Sequence, residues 1–308
     1  MTVVEAPSRS EAEVARGVPV ARHGRLTPYL FLLPFGVLFL GFVLIPAVFG
    51  LWVSFHDYNY LLPGKPWVGL QNYVDLFTPG SRDSGDFWKS MLATGIFTVF
   101  SVPFLIICPL GVALLLNRAF PGRSFFRAVF FAPYVLGVAV VGILFRFVLD
   151  PNIGVVNYYL GHAIPWTTEV PWAWVSLVGM TVWWTLGFNA VIYLAGLQEI
   201  SPDLYEAAQI DGASRWQEFR NVTLPGLRPV MAFVTTVTIL ASANMFGQSF
   251  LLTKGAPANE TRTAIMYIAQ TGLGNNRQGM AAAMSYILAL ILMGVSVLNI
   301  RLTQRRAS

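Results

Sequence analysis

Few residues in this chain are of a type and spacing that could do chemistry. No Gly-x-x-x-x-Gly-Lys-Ser/Thr run is present to cradle a phosphate. The three histidines, His23, His56 and His162, are scattered, and no Cys/His cluster suggests a metal site. Cys108 stands alone beside Pro109, a small packing residue with no disulfide partner in the chain. Polar side chains gather in two other settings. Residues 206–229 form a polar island between two long apolar runs, suited to making contacts and not to making bonds. Ser242, Asn244 and Gln248 interrupt one apolar run, while Trp183, Trp184, Phe188 and Asn189 cluster in another. Polar residues that lie together around a spanning helix usually face the interior, to bond neighbouring helices or to hold a ligand.

The island must be positioned by short helices, and its sequence supplies their punctuation. Ser201 is a good N-cap, Pro202 fits the first helical position, and Asp203 complements the positive end of the dipole. Gly212 can take the left-handed conformation that ends this helix. Ser214 can cap a second helix carrying Trp216, Phe219 and Thr223 along one side, closed by Pro225 and Pro229. Ala207, Ala208, Gly212 and Ala213 are small enough to let another surface approach the backbone.

The rest of the chain is built for a membrane. Of its 308 residues 55% are hydrophobic and only 11% charged, a balance few soluble domains show. Apolar runs at 29–53, 90–116, 126–149, 172–197, 230–252 and 280–300 are each long enough to span a bilayer. Arg9, Arg16, Arg22, Arg25, Arg118, Arg123, Arg127, Arg215, Arg220, Arg228, Arg301, Arg305 and Arg306 fall on one side. Lys65, Arg82, Lys89, Lys254, Arg262 and Arg277 fall on the other. The excess predicts cytoplasmic termini and a cytoplasmic island at 198–228. The net charge of +5 then reflects topology and anionic lipid, not nucleic acid. Residues 1–28 and 303–308 read as tails, the first of them flexible.

Within the spans, Pro34, Pro46, Pro103, Pro109 and Pro133 can kink helices by freeing backbone carbonyls. Arg146 is four residues before Asp150, a spacing for an ion pair near the outer surface, with lining of the translocation path as the alternative. No span carries a central Asp or Glu, which argues against a proton-coupled carrier. The chain must borrow its energy.

Glu206-Ala207-Ala208, Asp211-Gly212-Ala213, Phe219 and Thr223-Leu224-Pro225 reproduce in order a long and specific pattern. The segment resembles the "EAA" loop of membrane subunits in bacterial ATP-binding-cassette (ABC) importers, especially the carbohydrate-uptake group of the maltose and glycerol-phosphate type. Gly69-Leu70-Gln71-Asn72-Tyr73, Leu115-Leu116-Asn117-Arg118, Asp150-Pro151-Asn152 and Leu194-Ala195-Gly196-Leu197-Gln198 are similar to the same family, so the resemblance covers about 29–300. Gly226 departs from the usual large aliphatic residue, and Gly255-Ala256-Pro257 from the family's Gly-Gly-Pro.

The resemblance implies an all-α integral membrane protein, a type I permease bundle of six transmembrane helices occupying 29–302. It also implies a second, different permease subunit, two cytoplasmic ATPase subunits that bind ATP and Mg, and an extracytoplasmic solute-binding protein. This chain would hold no cofactor and perform no catalysis. Glu206, Ala207, Ala208, Asp211, Gly212, Ala213, Trp216 and Phe219 would couple to the ATPase. Phe188, Asn189, Ser242, Asn244 and Gln248 would line the path of a sugar of oligosaccharide or disaccharide size, which requires hydrogen-bonding groups among aromatic faces. Two alternatives are an importer for a non-sugar solute such as glycerol 3-phosphate and a self-contained carrier or channel.

Overall fold

The computed structural model describes residues 27–305, so most of the expected amino-terminal tail lies outside the described residues. An apolar helix, α1 (Thr27–Phe39), passes through a wide π-type turn at Leu40–Leu44 into α2 (Ile45–Ser54). The turn ends two residues before Pro46, whose missing N–H and bulky ring disturb the normal ladder there. The chain divides into two compact units at Gly50, and all later elements belong to the second.

A short helix, α3 (Gln71–Phe77), leads into α4 (Arg82–Asn117), a 36-residue rod about 54 Å long at the usual rise per residue. It starts at Arg82 instead of residue 90 because Ser81 caps it, accepting the Ser84 N–H at 3.1 Å, and Asp83 occupies its first turn. Pro103 and Pro109 lie inside α4 without interrupting it.

The expected third span is two helices, α5 (Arg123–Val135) and α6 (Val138–Val148), bent 97° apart. Leu136 and Gly137 are extended between them, and the Leu136 carbonyl accepts the Trp184 indole N–H at 2.9 Å. That bond supplies a partner for backbone exposed by the break. After a loop helix, α7 (Val155–Leu160), the second long rod α8 (Trp172–Glu199) packs along α4. The α5–α8 crossing is tight at Gly187, where a Cβ would collide with the Phe130 carbonyl and the Phe131 backbone.

The island comprises α9 (Pro202–Ile210), α10 (Arg215–Glu218), a π-type turn at Phe219–Thr223 and the single turn α11 (Leu224–Gly226). Helix α12 (Arg228–Ala243) comes next. Pro225 and Pro229 do not close the second island helix as the sequence suggested. Pro225 continues the helical path behind the wide turn, and Pro229 opens α12, where no N–H is needed. The fifth span also differs from expectation: it breaks over Asn244–Phe246 and resumes at Gly247, ending in a π-type turn at Ser249–Thr253. Helices α13 (Ala264–Ala269) and α14 (Gln278–Arg305) complete the described chain.

Tyr193, Leu194 and Leu197 of α8 pack with Leu110 and Ala113 of α4, and with Leu227 and Val234 at the start of α12. Val99, Phe100, Phe104 and Ile107 leave another side of α4 apolar and exposed, as a lipid or subunit contact requires. Among the described residues the only bridge of strand type is an isolated one between His56 and Trp67. Among the described residues four helices are long and apolar enough to cross a membrane, six if each bent pair counts as one. The fold is an all-α multi-pass bundle.

Candidate functional site

The two broken helices meet the two rods around a cavity of about 350 Å³. Phe97 and Leu105 of α4, Tyr134 of α5, Trp184 and Thr185 of α8, and Thr238 of α12 contribute to its wall. Phe188, Asn189, Ser242, Asn244 and Gln248, five residues from two distant stretches of sequence, all line it.

Their bonding separates them. Asn189 donates to the Leu105 carbonyl at 3.2 Å and the Ser242 hydroxyl accepts from Ser101 at 3.2 Å, so both tie their helices to α4. Both are also buried. Asn244 donates to the Leu240 carbonyl at 2.8 Å, which leaves its amide oxygen at the break. The Gln248 side chain makes no hydrogen bond among the described residues, and its amide is available to the cavity. Phe188 stacks on Tyr134 with ring centroids 4.5 Å apart and planes 17° apart. Trp183, grouped with these residues in the sequence, instead packs on Phe145 at 5.3 Å. Among the described residues no Asp, Glu, Lys, Arg or His lines the cavity. Hydrogen-bonding groups beside aromatic faces, without formal charge, suit a neutral ligand.

The island is held by local bonds. Ser201 accepts the Asp203 N–H at 3.3 Å, and Asp211 forms the C-cap of α9. Gly212 is left-handed, φ +76°, and the Gly212 and Ala213 amides fold back onto the Gln209 and Ala208 carbonyls at 3.0 and 2.9 Å. Ser214 and Gln217 bond reciprocally, the Gln217 N–H to the Ser214 hydroxyl and the Ser214 N–H to the Gln217 amide oxygen. The box is legible in the sequence as Ser-x-x-Gln, and reading Ser214 as a lone cap misses its second half.

Helix α9 has two faces. Glu206, Ala207, Ile210 and Asp211 are exposed, Ile210 at 86%. Ala208 and Ala213 are half-buried. Tyr205 and Gln209 turn into a cleft of about 650 Å³ shared with Asn117, Arg118, Arg215 and Glu218. Trp216 and Phe219 line the same cleft, their rings 5.5 Å apart. The Tyr205 and Thr223 hydroxyls bond at 3.0 Å, joining the island's two halves.

Residues 77–307 match the family described as binding-protein-dependent transport system inner membrane component. The chain belongs to this family. It is 32% identical over 281 residues to the probable starch degradation products transport system permease protein AmyD of Thermoanaerobacterium thermosulfurigenes, covering 90% of this chain and 94% of the relative. The arabinooligosaccharides transport system permease protein AraP of Bacillus subtilis is 32% identical over 291 residues, 91% of this chain and 89% of AraP. A chain of a bacterial alginate ABC transporter, crystallised with an alginate pentasaccharide-bound periplasmic protein, superposes with a TM-score of 0.77. It is 25% identical, and the match covers 92% of this chain and 95% of that one. The protein is therefore a non-catalytic permease subunit of a bacterial ABC importer, related to carbohydrate systems, and a multi-pass protein of the plasma membrane.

The permease also carries an ionic cluster that the sequence did not reveal. At the Arg82 end of α4, Asp83 accepts two bonds from Arg277, both 2.8 Å, and one from the Tyr267 hydroxyl at 3.4 Å. Arg262 reaches Asp86 at 2.7 Å and the Ser90 hydroxyl at 3.3 Å, and lies 4.4 Å over the Tyr267 ring. The bond to Asp83 holds the Arg277 guanidinium protonated even more firmly than usual. Asp83, Asp86 and Ser90 share one side of α4, but their partners lie more than a hundred residues away, beyond the reach of local pattern.

The expected Arg146–Asp150 pair does not form. The Asp150 carboxylate accepts the Asn152 and Ile153 N–H groups at 2.9 and 3.1 Å instead. Those two bonds lower its pKa, and Arg146 adds a smaller effect from a distance. Arg146 borders a separate pocket of about 430 Å³ with Lys254, Thr167 and Asn259.

Proposed function

We propose that this permease passes a neutral sugar, of oligosaccharide or disaccharide size, received from an extracytoplasmic binding protein and driven by a separate ATPase. The observation that carries this reading is the cavity at the two helix breaks, which offers amides, hydroxyls and an aromatic pair but no formal charge. Broken helices bordering a cavity are a common way to build a transport site within a bilayer. The names of AmyD and AraP, which specify starch degradation products and arabinooligosaccharides, support the same substrate class. A glycerol 3-phosphate path would need cations to match the phosphate, and Arg146 borders a different pocket. Six crossings with cytoplasmic termini, in the type I arrangement, agree with the distribution of basic residues.

The complex would comprise this chain, a second permease, two ATPase subunits and the binding protein. ATP can favour one state of the bundle only through contacts that differ between states. The exposed face of α9 and the turn that ends it are suited to make them: Glu206 and Asp211 supply polar contacts, and the exposed Ala207 and Gly212, with the half-buried Ala208 and Ala213, permit close docking. Trp216 and Phe219 transmit the load to the bundle from inside the cleft. Replacing both Asn244 and Gln248 by alanine should cut sugar uptake by reconstituted complexes on the order of tenfold, from two lost hydrogen bonds. Complex yield should be unchanged. Wild-type uptake in that variant would sink the assignment of these two amides to the sugar path.

A further inference from the structure

Helix α4 joins three places otherwise far apart. Its first turns hold the ionic cluster, its middle forms the cavity wall through Phe97 and Leu105, and Leu114 and Asn117 line the cleft beneath the island. No break divides these regions. The segment fastened to its first turns, residues 254–279, begins in a tightly bonded stretch. Lys254, Ala258 and Asn259 have φ of 54°, 44° and 64°, a conformation that persists only where surroundings impose it. Thr261 imposes it in part, its hydroxyl meeting that of Thr253 at 2.7 Å and the Ala256 carbonyl at 2.7 Å. Lys89 of α4 donates to the Ala258 carbonyl at 2.9 Å, and Thr94 accepts the Ala264 N–H at 2.9 Å.

We propose that Asp83 and Arg277 are positioning residues for transport: with Arg262–Asp86 they make residues 254–279 and α4 one mechanical body. A load applied to that segment is then delivered along α4 to the Ser101–Ser242 bond at the cavity and to the cleft under the island. A hairpin held by a single loose contact would absorb the same load. The forked geometry matters, because two parallel bonds at 2.8 Å fix orientation as well as distance. The inference rests on the reading of the protein as an importer that responds to a binding protein outside the membrane.

The test uses the reconstituted complex with its binding protein and compares stimulated with basal ATP hydrolysis. Asp83→Asn should lower the ratio of stimulated to basal rate about fivefold or more, the size of a typical coupling between sites. Basal rate and yield should stay at wild-type levels. Exchanging the charges, Asp83→Arg with Arg277→Asp, should recover much of the lost ratio, which mere tolerance of a damaged fold would not. Arg277→Lys keeps the charge but loses the fork, and should give an intermediate fall even if Asp83→Asn assembles poorly. An unchanged ratio in both Asp83→Asn and Arg277→Lys overturns the inference. So does a parallel loss of basal rate that the exchanged pair does not recover. A wild-type complex that ignores its binding protein overturns the underlying reading instead, and the inference with it.

Discussion

The cavity and the island hold their shape by opposite means. Around the cavity, bonds join residues distant in sequence: Asn189 to the Leu105 carbonyl, Ser101 to Ser242, Trp184 to the Leu136 carbonyl. In the island nearly every stabilising bond spans only a few residues, as in the Ser214–Gln217 box or the turn at Gly212. A wall made by long-range contacts fails when the packing fails. A surface made by local caps can present an exposed face to a partner while keeping its own form. The same substitution type should therefore act differently in the two regions, through assembly in one and through coupling in the other.

The largest effect should come from Gly187→Ala. The added Cβ meets backbone atoms of Phe130 and Phe131, which cannot rotate away as a side chain could. We expect a loss of about 3 kcal/mol, at the upper end for overpacking, seen as a lower thermal transition and reduced yield. Wild-type stability would show that the α5–α8 crossing gives more easily than its geometry suggests. Gly212→Pro should be the converse. Open space surrounds Gly212, but its φ of +76° is out of reach for proline. The complex should assemble and hydrolyse ATP while uptake per ATP falls about tenfold, within the range of coupling energies. Normal uptake per ATP would remove the island from the coupling path.

What could be read from the sequence divides along the same line. Ser201, Gly212 and Ser214 behave as local chemistry dictates because a cap depends on only its next few neighbours. Hydropathy picks out the apolar segments but not the breaks at Leu136–Gly137 and Asn244–Phe246, since both sides of each break remain apolar. Tyr134 escaped notice because its partner Phe188 is on another helix. The Asp83–Arg277 fork escaped for the same reason, and Arg146 misled because its spacing from Asp150 suits a pair only if the helix continues. It ends at Val148, and Asp150 turns to the backbone.

Among the caps themselves the effects should be smaller and can be told apart. Ser214→Ala removes one arm of the box and should cost about 1 kcal/mol of local stability, measured as faster amide exchange at Gln217. Asp150 is the charged counterpart. Its carboxylate, lowered in pKa by the Asn152 and Ile153 amides, contributes stability in full above the ordinary carboxylate range. That contribution should begin to fade as the pH falls below about 4 and vanish as it passes the folded pKa. Exchange at Asn152 and Ile153 should therefore accelerate on acidification, after correction for the intrinsic rate, while exchange at Gln217 should not, because a serine hydroxyl does not titrate. Equal acceleration at both sites would mean that acid loosens the bundle as a whole, and that local capping does not make the island independent of the packed wall.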